Sequence, residues 1–126
     1  MSVDREQQGL QKLREIAGEQ ATRPLGDWNA IAPDMHRYIV EFVAGDILSR
    51  PGLDAKSRQL ATVAMLAALS HAPDEFKMHF AGALRLGWTR EELVEVLLQT
   101  AVFAGFPTAL NALKWAQEVL STQDKS

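Results

Sequence analysis

The chain predicts an all-α fold, one domain of about six helices over its 126 residues. Three observations carry that expectation. Apolar residues recur at three- and four-residue spacing instead of alternating. Proline and glycine fall between the periodic runs, and no segment reads as a strand bounded by turns. With 47% apolar and 23% charged side chains, the chain can bury one core without disulfides.

The first helix carries Leu10, Leu13, Ile16 and Ala17 and stops near Gly18. A loop through Arg23-Pro24-Leu25-Gly26 follows, so residues 1–26 form an N-terminal helix and loop ahead of a core over 27–121. Pro33 suits the first turn of a second helix bearing Met35, Tyr38, Ile39, Phe42 and Val43. Ser49-Arg50-Pro51-Gly52 breaks the chain, and Asp54 can cap a third helix from Ala55 to Leu69. That helix is apolar on nearly every side after its first turn, the pattern of a central element. Pro73 opens a fourth helix and Gly87 closes it. Thr89-Arg90-Glu91-Glu92 is a capping box, in which the Thr hydroxyl and the Glu carboxylate each satisfy an orphan N–H. Leu93, Val96, Leu97 and Ala101 continue that fifth helix to Gly105. Pro107 begins a sixth, expected to fray from Thr122.

Composition excludes several function classes. The formal charge of -3 argues against a nucleic-acid surface, which needs clustered Lys and Arg. A helix-turn-helix around Gly87 fails too, because Glu91, Glu92 and Glu95 would face phosphates. With no cysteine there is no thiol nucleophile, CxxC redox pair or zinc thiolate. Residues 1–20 do not read as a signal peptide, and no apolar run reaches the roughly 20 residues of a membrane span. A soluble cytoplasmic protein is expected.

Chemistry therefore falls to acids, bases and cations. Glu75 and His79 stand four residues apart on the fourth helix, on one face and within reach of each other. His79 is the candidate for proton transfer, since imidazole titrates near neutrality. Glu75 can orient it and raise its pKa, or act as the acid itself; a solvated ion pair is the plainer alternative. Arg50, at the break after the second helix, and Arg58, one turn into the third, are candidates to grip a carboxylate. Asp54 is an alternative partner for Arg58. His71, at the junction before Pro73, and Trp88 are candidate pocket residues. Trp115 and Phe103 suit either a pocket or core packing, Trp28 a lid, and His36 a solvent-facing position. The histidines do not reproduce HExxH, so no metal site is expected.

Several segments, in order and spacing, resemble the carboxymuconolactone decarboxylase family. They are Gly45-Asp46-Ile47-Leu48-Ser49-Arg50-Pro51-Gly52-Leu53, Arg58-Gln59-Leu60, Ala64 to Leu69, Glu75-Phe76-Lys77-Met78-His79, Gly87 to Glu92, Glu95 to Ala101 and Gly105-Phe106-Pro107. The resemblance implies the helical fold of alkylhydroperoxidase-D-like proteins and a homo-oligomer, commonly a trimer or hexamer, with pockets near subunit contacts. The peroxidase branch carries Cys-x-x-Cys with a His four residues later. Anchored on His79, this chain has Ala72 and Glu75 at those cysteines, so disulfide-based peroxidase chemistry is excluded. Phe106-Pro107-Thr108-Ala109-Leu110-Asn111 replaces the Val-Pro-Ala-Ala-Asn-like run of the decarboxylases, a change in the pocket wall.

The reaction so implied converts 4-carboxymuconolactone, or a related small lactone or carboxylic acid, to an enol-lactone with loss of CO2. Neither cofactor nor metal is implied, because the substrate is its own electron sink. In that reading His79 donates a proton or stabilises the enolate with Glu75 beside it. Arg50, Arg58, His71 and Trp88 hold the substrate. Two alternatives stand: another acid–base reaction on a small carbonyl compound, or a non-enzymatic oligomeric module that binds a ligand.

Overall fold

Helices joined by short turns make up the computed structural model, which describes residues 2–24 and 26–124. We number them α1 (Ser2–Ala17), α2 (Asp34–Tyr38, continued as a wider π-helix over Ile39–Ile47), α3 (Ala55–Leu69), α4 (Pro73–Arg85), α5 (Arg90–Ala104) and α6 (Phe106–Asp124). Single 3-10 turns occupy Glu19–Thr22 and Asp27–Ala30. Among the described residues there is no strand, as the periodicity requires, and no helix long and apolar enough to cross a membrane. Leu25 of the expected loop lies outside the described residues. The sixth helix runs past Thr122 to Asp124.

The chain divides into two compact units, Met1–Ala55 and Lys56–Ser126. In the first, α1 packs along α2 and buries Leu13 against Val40 and Ala44. Gly9 makes that approach possible: a Cβ there would fall 1.8 Å from the Val40 carbonyl oxygen. Arg5 closes the same pair of helices with two hydrogen bonds to Asp46, at 3.0 and 2.8 Å. The wider turns of α2 were not legible in its apolar spacing. They show in the Leu48 amide, which bonds to the Val43 carbonyl, and in the Ser49 hydroxyl, which donates to Ala44 at 2.7 Å. His36 does not simply face solvent: its Nε2 sits 3.0 Å from the Thr22 carbonyl, tying the start of α2 to the preceding turn.

In the second unit one apolar cluster joins all four helices. Val63 and Ala67 of α3 meet Phe76, Phe80 and Ala83 of α4, Leu93 and Leu97 of α5, and Ala112, Ala116 and Leu120 of α6. Phe76 stacks at 5.7 Å from both Phe80 and Trp115, the separation favoured by tilted rings. Small residues on α6 let the aromatic side chains of α4 fill the space between helices. The capping box forms as predicted, with Thr89 and Glu92 bonded reciprocally at 2.9 and 3.1 Å. Gly105 ends α5 at φ 96, a left-handed value that favours glycine. The expectation of a central α3 is corrected: only its Gln59, Val63 and Ala67 stripe is buried, while Met65 and Leu69 are exposed.

Candidate active site around His79

α4 sets the site by simple helical geometry. Phe76, Phe80 and Ala83 mark its buried stripe. At about 100° per residue, His79 lies about 60° round from Phe76, at the edge of that stripe, and Glu75 about 100° round. The imidazole is accordingly partly buried, and Glu75 is exposed.

α3 supplies the group that meets the ring. Gln59 is 2% exposed and shares its stripe with Val63 and Ala67. Its side-chain nitrogen stands 3.0 Å from His79 Nδ1 and donates to the His79 carbonyl at 2.8 Å. Burial pulls the His79 pKa below its ordinary 6.5, and the charge of Glu75 pushes it back up without prevailing. The ring is therefore neutral at neutral pH. Glu75 acts in the expected direction, but the hydrogen bond that orients Nδ1 comes from Gln59. That residue stood inside the Arg58-Gln59-Leu60 motif without an assigned role. Its signal was register: an amide at the position four before Val63 and eight before Ala67 falls on the buried line.

The remaining candidates are placed as follows. Arg50 is exposed in the turn after α2, and its amide bonds to the Ile47 carbonyl. Arg58 is partly buried in the first turns of α3, where its carbonyl accepts from the Thr62 hydroxyl at 3.0 Å. His71 is exposed in the α3–α4 turn, next to Ser70, whose backbone is left-handed at φ 60. Trp88 packs on the core; its indole N–H donates to the Lys56 carbonyl at 2.7 Å, and the Lys56 ammonium lies 4.5 Å from its ring centre. Trp115 belongs to the core cluster, and Trp28 lies in the turn Asp27–Ala30.

Phe103, 84% exposed, borders a surface hollow of about 440 Å³ with Leu60, Ala64, Val96 and Thr100. A second hollow, of about 310 Å³, lies beside Lys77 and Glu118. Neither is lined by His79 or Glu75. Among the described residues, no three His, Asp or Glu side chains come together as a metal site would need.

Fold and site thus define an all-α protein that offers an imidazole, a carboxylate and a buried amide, and no thiol. The chain belongs to the carboxymuconolactone decarboxylase family, whose profile matches residues 33–118. It is 37% identical over 116 residues to a 4-carboxymuconolactone decarboxylase of Acinetobacter baylyi, covering 91% of this chain and 86% of that protein. An uncharacterized 15.0 kDa protein of Paracoccus denitrificans is 31% identical, over 75% of this chain and 72% of that one. The nitrosuccinic acid decarboxylase npaB of Metarhizium robertsii is 28% identical, over 90% of this chain and 80% of its own length.

Proposed function

We propose that this protein is a decarboxylase of 4-carboxymuconolactone or a closely related lactone acid, working without a cofactor. The observation that carries the reading is the 37% identity to a 4-carboxymuconolactone decarboxylase over 91% of the chain. The neutral His79 ring gives that likeness a mechanism. When the C–C bond to the carboxylate breaks, CO2 leaves and the bonding pair flows through the ring alkene into the lactone carbonyl. His79 Nε2–H donates a hydrogen bond to that oxygen as its charge grows. A solvent proton then adds to carbon, so one proton is consumed and one CO2 released for each enol-lactone formed. Arg58, in the same unit as His79, grips the spectator acid.

The likeness to a nitrosuccinic acid decarboxylase supports a second substrate class. Both named acids carry their own electron acceptor, a lactone carbonyl in one and a nitro group in the other. Either would use the same donor at His79.

Homo-oligomer formation is part of the proposal. Val102, Phe103, Phe106 and Leu110 are exposed along α5 and α6, apolar side chains that a subunit contact would cover.

The test is to incubate the purified protein with 4-carboxymuconolactone and with nitrosuccinate, and to follow CO2 and the organic product together. Enol-lactone formed in step with CO2 supports the first reading, and CO2 from nitrosuccinate alone supports the second. Release from neither, by a well-folded protein, would overturn the decarboxylase assignment.

A further inference from the structure

We infer that Gln59 is a positioning residue for His79: its amide holds the imidazole as the Nε2–H tautomer, so the ring presents a proton, not a lone pair, at Nε2. Its catalytic consequence rests on the decarboxylase reading above; the state of the ring does not.

A glutamine amide has an NH2 group with two hydrogens and a carbonyl oxygen that only accepts. The His79 backbone carbonyl, 2.8 Å from Gln59 Nε2, also only accepts, so it decides which end of the amide faces it. Turned over, the amide would set one acceptor oxygen against another and lose a bond in a buried place. With the NH2 fixed there, its second hydrogen points to Nδ1 at 3.0 Å, and Nδ1 must accept. The proton of the neutral ring is then on Nε2. Charging the ring would bring an Nδ1–H against the amide NH2, two donors facing each other. Burial of the ring acts in the same direction.

The groups around the ring agree with this arrangement. Gln59, facing it from α3, carries no charge. Glu75, on the same helix, favours the charged ring and is outweighed. From α6, which also packs on α4, Glu118 is paired with Lys77. An Nε2–H ring can donate to a developing enolate and cannot act as a base at that nitrogen. A carboxylate at position 59 would reverse this, accepting from Nδ1–H and leaving Nε2 a lone pair or a full cation.

The experiment is long-range proton–nitrogen NMR of the full chain labelled with nitrogen-15 histidine, for wild type, Gln59→Glu and Gln59→Leu. Wild type is expected to show a pyridine-like Nδ1 and a pyrrole-like Nε2 for His79 at neutral pH. Gln59→Glu should move the proton to Nδ1 or charge the ring, and Gln59→Leu should give mixed tautomers at unchanged helicity. A wild-type ring protonated at Nδ1, or a Gln59→Glu ring identical to wild type, would overturn the inference. The wild-type spectrum decides even where a variant does not fold. In turnover, Gln59→Glu should lower kcat about a hundredfold or more with KM little changed; a rise in KM at constant kcat would contradict a positioning role. Because the spectrum needs no substrate, an inactive wild type would sink the decarboxylase reading and leave the tautomer to be judged on its own.

Discussion

Trp88→Phe separates a wall of the site from a support of the fold. Phenylalanine keeps an aromatic ring on the core but has no N–H for the Lys56 carbonyl, which the indole meets at 2.7 Å. Losing that hydrogen bond costs about 0.5–1.5 kcal/mol net. The smaller ring also gives up part of a half-buried apolar surface, roughly 1 kcal/mol. Weaker attraction to the Lys56 ammonium, 4.5 Å from the ring centre, adds up to about 0.5 kcal/mol. The sum is about 1.5–3 kcal/mol, measured as a lower midpoint in urea unfolding followed by circular dichroism. Because the indole is spent on Lys56, KM for the lactone acid should stay where it was. Unchanged stability together with a tenfold higher KM would refute this reasoning and make Trp88 a substrate contact.

Two further predictions follow from packing and titration. Gly9→Ala sets about 1 kcal/mol of gained helix propensity against a Cβ 1.8 Å from the Val40 carbonyl oxygen. The clash wins, and urea unfolding should show a loss of roughly 1–3 kcal/mol; a variant as stable as wild type would mean that α1 and α2 do not approach so closely. His79 is held below its ordinary pKa of 6.5 by burial, so the folded state binds fewer protons than the unfolded chain just below that pH. Its contribution to stability is complete above 6.5 and is lost as pH falls through the lowered folded value. Urea midpoints across that range should fall less steeply for His79→Gln than for wild type, and equal slopes would count against the buried neutral ring.

Local signals in this chain read well because they act locally. Thr89 and Glu92 form the capping box that their spacing demands, and Gly105 takes the left-handed angle that ends α5. The Glu75 and His79 spacing puts both on one side of α4, where burial, the larger effect, lowers the His79 pKa against the upward pull of the Glu75 charge. What spacing on one helix cannot give is the partner from another helix. Gln59 lies 20 positions before His79, and only the packing of α3 on α4 brings its amide to the ring. The same limit applies to α3 itself. Its sequence is apolar on nearly every side after the first turn, yet which stripe is covered depends on what packs there, and of its residues only Gln59, Val63 and Ala67 are buried. The wide turns of α2 were illegible for a different reason: its buried Val40, Ala44 and Gly45 stand four and five residues apart, spacings that suit an α-turn and a π-turn alike.

The central claim is that His79 runs a decarboxylation. CO2 release from 4-carboxymuconolactone, measured side by side for wild type and His79→Ala with helicity and assembly size checked for both, tests it most directly. Wild type should release CO2 in step with enol-lactone, and the variant should be slower by about a hundredfold or more while folding and assembling as wild type does. Equal rates from the two proteins would contradict the account, because the reaction would then proceed without the imidazole on which the mechanism depends.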